Sequence, residues 1–257
     1  MKTIKIGTMS VEIYDAIEEL PITRFHKFNK MVLVDSGIGS DLSDFDNHIE
    51  RAIRFCRVNP EATATELQNL RQNVYFIQSG ISPKMMAFCV LVKTIDGEPF
   101  DDISDDSLQA LQKRFEDMPI NQLTAYLEAV KKKIDDELHL YFPGQFDDAA
   151  IKEYYDQLRR RTLLMLESVI AGDTDDKRKE IDAITTALIT YTKPMEFQGN
   201  KSIEISYDKQ FEEMCLILSQ NLHVNPKKFT VLEYYNAFEF LKKQLRQNGA
   251  NKAPIKR

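Results

Sequence analysis

Ser82-Pro83-Lys84-Met85-Met86-Ala87-Phe88-Cys89-Val90-Leu91-Val92 is the stretch around which the rest of the chain must fold. Serine accepts hydrogen bonds from the free amides that open a helix, and proline fits the first helical turn because its missing N–H has no partner there anyway. Met85 to Val92 is apolar throughout, so no side of this segment suits water, and the run predicts an element at the centre of a core. It spans about half the length a bilayer crossing requires, and Lys93 follows at once.

Working back toward the N-terminus, Thr63 and Glu66 have the spacing of a capping box, and Leu67, Leu70, Val74, Ile77 and Ile81 predict the buried face of the helix behind it. Before that, Phe45, Ile49, Ile53 and Cys56 predict a helix with one inward stripe, closed by Pro60. Phe25, Phe28, Met31 and Val32 also fall at helical spacing, although Met31 to Val34 fits a buried strand equally well. At the very start Ile4, Ile6, Val11 and Ile13 alternate with polar residues around Gly7, the pattern of a short hairpin or extended arm.

Toward the C-terminus, Asp96-Gly97-Glu98-Pro99 is the first credible boundary. Beyond it Leu108, Leu111 and Phe115 predict a short helix. Leu123, Leu127, Val130, Ile134, Leu138 and Tyr141 predict a long one at nearly heptad spacing. A third, capped by Asp147, places Ile151, Tyr154, Leu158, Met165 and Val169 inward, and Gly172 stops it. Ile181, Ile184, Leu188 and Tyr191 mark a fourth, and the alternation of Ile203 and Ile205 predicts a loop with a short strand. Two helices finish the fold, the last opened by a Thr230 and Glu233 capping box.

With 43% hydrophobic and 29% charged residues among 257, and only nine glycines and nine prolines, the chain reads as folded and mainly α. The expected architecture is a multi-helix, bundle-like domain with a short N-terminal β arm or hairpin. Its expected divisions are an arm at 1–20, a helical subdomain at 21–95, a helical bundle at 96–246 and a flexible basic tail at 247–257. The three cysteines, Cys56, Cys89 and Cys215, are far apart, odd in number and set among apolar residues, which predicts buried free thiols in a reducing compartment. Met1 to Ile6 carries no apolar run of the kind a signal peptide needs, so a soluble, unsecreted chain is expected.

The residues offer little chemistry. Gly37 and Gly39 lack the Lys and Ser/Thr of a phosphate-binding loop and read as a helix end followed by a new N-cap at Ser40, Asp41 or Ser43. Asp101, Asp102, Asp105 and Asp106 lack the EF-hand pattern and read as acids at a helix N-terminus. His48 and His139 each follow an aspartate by four residues, which reads as exposed pairing along a helix, and His26 and His223 read as boundary residues. No catalytic residue, cofactor-binding residue or metal ligand is assigned, and no cofactor or enzymatic activity is expected. Basic runs at 131–133, 159–161 and 177–179 are flanked by acids, and the net charge is −6, so neither sequence-specific nucleic-acid binding nor membrane binding is expected. The adjacent tyrosines Tyr154 with Tyr155 and Tyr234 with Tyr235 each point rings in two directions. Tyr155 and Tyr235 are therefore candidate interface residues.

Two stretches, Leu20-Pro21-Ile22-Thr23-Arg24-Phe25-His26-Lys27-Phe28-Asn29-Lys30 running into Val34-Asp35-Ser36-Gly37-Ile38-Gly39-Ser40, and Phe229-Thr230-Val231-Leu232-Glu233-Tyr234-Tyr235-Asn236, resemble structural proteins of crAss-like tailed bacteriophages. The resemblance covers about a tenth of the chain and carries no functional residue with it. It implies a virion component, a ring-forming subunit of the head-to-tail connector or tail barrel, assembled in the host cytoplasm with copies of itself and other virion proteins. The alternative is a soluble helical adaptor that binds one protein partner reversibly. On the assembly reading, Ile4, Ile6, Val11 and Ile13 form an apolar edge that pairs with a neighbouring subunit. The competing reading folds that arm back on its own domain.

Overall fold

The computed structural model describes residues 2–116, 118–143, 149–191 and 193–250. The side chains of 2, 120, 149–155, 171, 189–191 and 248–250 are not among those described. Among the described residues the helices are α1 (Ile22–Gly37), α2 (Leu42–Val58), α3 (Pro60–Ser79), α4 (Pro83–Val90), α5 (Asp105–Arg114), α6 (Ile120–Tyr141), α7 (Ala149–Ala171), α8 (Asp175–Tyr191), α9 (Ile203–Leu222) and α10 (Val231–Ala250). The strands are β1 (Lys2–Ile6), β2 (Met9–Ile13), β3 (Val92–Ile95) and β4 (Glu98–Pro99). The chain is thus mainly α with a small N-terminal β region, as its composition and periodicity predict.

The described residues divide into two compact units, one drawn from 1–36, 81–143 and 203–257, the other from 37–80 and 144–202. These units do not follow the expected boundaries at 20, 95 and 246, because segments remote in sequence pack into one core.

In the first unit the four strands form one antiparallel sheet in the order β1-β2-β3-β4. Ile4 stands opposite Val11, and Val11 opposite Ile95, so one face of the pleat gathers these side chains. Ile4, Ile6, Val11 and Ile13 are all buried. The arm therefore folds back on its own domain, and the expected exposed edge is corrected: its apolar face is covered from within. The expected boundary at Asp96-Gly97 is likewise a hairpin turn joining β3 to β4. Both residues have positive φ, 52° and 86°, which the tight turn demands and which Asp and Gly tolerate.

Ser82 accepts from the Met85 amide and Pro83 occupies the first turn of α4, whose residues from Met85 to Val90 are all buried. Phe88 meets Phe115 edge-on at 5.9 Å between ring centroids. Leu123, Val130, Ile134 and Leu138 form the inner face of α6. Among the described residues Arg24 is the buried charge of this unit. Its Nη1 donates to the carbonyls of Val90 and Val92 at 2.9 and 3.0 Å, its Nη2 donates to Phe100, and the ring of Tyr14 lies 5.5 Å away. The guanidinium thus ties α1 to the end of α4 and to β3. Ile22 donates to the Phe229 carbonyl, and Val231 to that of Leu20, each at 2.9 Å. The two stretches that carry the resemblance are therefore neighbours in space. Thr230 and Glu233 form the expected capping box of α10.

In the second unit α2 and α3 form a hairpin whose only linking residue is Asn59, which caps the end of one helix and the start of the other. Helices α7 and α8 form another hairpin, and α8 also packs on α2. Ile203 and Ile205, expected in a strand, instead open α9, with which the chain re-enters the first unit. The Asp147 cap and residues 251–257 of the expected tail lie outside the described residues.

Candidate interaction surface

The distinctive feature of the second unit is which way its helices face. The turn that leads into it is set by Gly39, at φ 66°, where a Cβ would fall 2.1 Å from the Asp44 carboxylate. Asp41 then caps α2 reciprocally with Asp44. This turn delivers the Ile38 carbonyl to the α2–α3 seam, which is polar. Glu66 is 1% exposed and Asn73 0%, and His48 and Asn69 are buried beside them. His48 places Nδ1 2.8 Å from Glu66 Oε1 and Nε2 2.8 Å from the Ile38 carbonyl. Asn73 donates to the same carbonyl at 3.1 Å, and Asn69 donates to the Met195 carbonyl at 3.0 Å. Arg51 brings its Nε within 3.1 Å of Glu66 Oε1.

A carboxylate and a carbonyl both accept, so both contacts are satisfied when each ring nitrogen of His48 carries a proton. Burial alone would depress its pKa. The hydrogen bonds it donates to Glu66 and to the Ile38 carbonyl, with the charge of Glu66, outweigh burial and the opposing Arg51, and the pKa is raised. The expected exposed pairing of His48 with Asp44 is thereby corrected, since Asp44 is spent on the cap.

With the polar side inward, the apolar side is outward. Of the stripe expected to be buried, Ile49, Ile53 at 59% and Cys56 are exposed; the inner face of α2 is His48, Ala52 and Phe55. Leu67 of α3 is exposed as well. On α7 the reversal is stronger: Leu163, Met165 and Leu166 are exposed, and Val169 and Ile170 reach 84% and 85%. Met165 and Val169, expected to face inward, do not.

Helices α2, α7 and α8 also enclose an open groove of about 590 Å³. Arg54 bonds Asp182, Thr186 and Glu50 there, and Arg178 bonds Asp173. Arg161 and Ser168 line it too, and among the described residues the buried Arg161 Nε and Ser168 Oγ have no hydrogen-bond partner.

The remaining candidates lie elsewhere. Tyr235 is half-buried in the first unit, its ring 5.5 Å from Phe142 and 5.7 Å from Tyr234, and burial pushes its hydroxyl up to about 12. Part of its ring thus packs against neighbours in the first unit. The side chain of Tyr155 lies outside the described residues. His26 sits between the rings of Tyr207 and Phe211, at 4.5 and 4.1 Å, with Nε2 2.8 Å from Asp208, and burial lowers its pKa despite that carboxylate. Asp102 accepts from Ser104 and Ser107 beside the N-terminus of α5, whose first turn holds Asp105 and Asp106, the arrangement expected of that acidic cluster.

The signal for the polar seam was present as Glu66, Asn69 and Asn73, which recur at three and four residues like any buried face. Among the described residues no three His, Cys, Asp or Glu side chains are placed to hold a metal ion, and no helix is long and apolar enough to cross a membrane. Comparisons with family models, with curated proteins and with solved structures return no match.

Proposed function

We propose that this chain is a structural assembly protein, a ring-forming subunit whose second unit makes the contact between copies. One observation carries the reading: α2 and α3 turn His48, Glu66, Asn69 and Asn73 inward, while Ile53 and Leu67 on these helices and Val169 and Ile170 on α7 are exposed. Large apolar side chains gain about 1.5–3 kcal/mol each on burial, so these exposed residues gain when another chain covers them. The resemblance in residues 20–40 and 229–236 extends the proposal to a virion protein of the head-to-tail connector or tail barrel, assembled in the host cytoplasm.

Light-scattering mass of the purified chain over a range of concentrations tests this. A ring or a concentration-dependent oligomer is the expected result. A monomer at every concentration overturns it in favour of an adaptor that binds a different protein.

A further inference from the structure

We propose that His48 is a pH-operated fastener inside the second unit: loss of its second ring proton detaches the Ile38 carbonyl, and with it the turn at 38–41, from the α2–α3 seam, while the bond to Glu66 persists. The ring touches two acceptors from two different segments. Nδ1 meets Glu66 of α3 at 2.8 Å, and Nε2 meets the Ile38 carbonyl ahead of α2 at 2.8 Å. A doubly protonated imidazole donates to both, whereas a neutral one has a single N–H and turns a bare lone pair toward one of them. Imidazole is the side chain that makes this change near neutral pH.

Which contact yields depends on what else each acceptor holds. Glu66 is buried, its Oε2 has no hydrogen-bond partner among the described residues, and Arg51 approaches the same Oε1 that His48 engages. A lone pair facing that buried carboxylate is repelled by a full charge. The Ile38 carbonyl carries only a dipole and keeps the Asn73 amide at 3.1 Å. The remaining proton therefore stays on Nδ1, and Nε2 loses Ile38. His48 and Ile38 are both buried, so water replaces the lost bond only when the turn opens.

The charges around the ring set the direction. Glu66 favours the second proton and Arg51 opposes it. Asp44, one turn earlier on α2, is bonded to the Ser40 and Asp41 amides, and Arg54 and Asp182, which join α2 to α8, are paired with each other. Burial works against the second proton, but the bonds to Glu66 and Ile38 outweigh it and raise the pKa above the ordinary 6.5, so detachment comes as pH rises beyond that value.

Nitrogen-15 NMR of the ring and hydrogen exchange of the Ser40 and Asp41 amides, each rate divided by the intrinsic rate at that pH, test this on the wild-type chain from pH 5 to 10. Both ring nitrogens should be protonated at the acid end and Nδ1 alone at the alkaline end. Protection of the two amides should fall about tenfold or more with the same midpoint, while the interior of α3 keeps its protection. In His48→Gln, checked for unchanged helix content by circular dichroism, the protection should not vary with pH. Protection that is flat in the wild type overturns the assignment, as does a neutral ring protonated on Nε2, or the same fall in His48→Gln. Should that variant lose helix content, the two wild-type readings decide.

Discussion

The two units differ in what their buried polar groups do. The first hides an apolar core and admits one guanidinium, Arg24, satisfied by three carbonyls. The second hides a hydrogen-bonded seam, His48, Glu66, Asn69 and Asn73, and leaves Ile53, Val169 and Ile170 in water. A domain that functions alone gains nothing by this inversion. A domain that another surface will cover gains twice, because the seam fixes one helix pairing while the outer face stays available.

The comparison can be broken by substitutions of similar size in the two units. Phe88→Ala should cost about 3–5 kcal/mol by leaving a cavity against Phe115 and its neighbours. Leu67→Ala, though it also removes a large apolar side chain, should change the stability of the separated chain by no more than about 0.5 kcal/mol. Denaturant unfolding at a concentration low enough to dissociate oligomers measures both. Equal losses would mean that Leu67 belongs to a core, and the contrast between the units would fail.

Histidine titration sharpens the contrast, falling between those two effects in size, because the two units carry rings whose proton affinities move in opposite directions. His48 is raised in the fold, so its contribution is complete below the unfolded value of 6.5 and is lost as pH rises through the higher folded value. His26 is lowered, so its contribution is complete above 6.5 and is lost as pH falls through the folded value. Each tenfold difference in proton affinity between the folded and unfolded ring corresponds to about 1.4 kcal/mol. Comparing unfolding free energies of wild type, His48→Gln and His26→Gln from pH 5 to 9 should show His48→Gln removing a decline on the alkaline side. His26→Gln should remove a decline on the acid side. Like slopes for both would contradict the assigned surroundings of the rings.

The same inversion explains which parts of the fold could be read in advance. Ser82-Pro83, the apolar run behind it and the Thr230 and Glu233 box were legible because local capping chemistry and inward apolar residues agree there. Asp96-Gly97 was visible as a break, yet a hairpin turn and a linker share those residue types, and only the register of β3 with β4 separates them. In the second unit periodicity located α2 and α3 but assigned the wrong side of α2 inward. Phe45, Ile49, Ile53 and Cys56 form a good stripe, and so do His48, Ala52 and Phe55; the choice depends on Glu66 and the Ile38 carbonyl meeting His48 from two other elements. Spacing along one helix holds no record of that meeting. The α7 apolar residues were a fair warning, since Leu163, Met165, Leu166, Val169 and Ile170 occupy more of the helix circumference than one buried face can cover.

The central claim is that the outward apolar face of the second unit is covered by another copy. Val169→Glu combined with Ile170→Glu tests it most directly, because both residues are almost wholly exposed and neither holds the fold together. Sedimentation velocity beside circular dichroism should show the helix content of the wild type and a shift from oligomer to monomer. An oligomer of unchanged mass and affinity in this variant would contradict the claim.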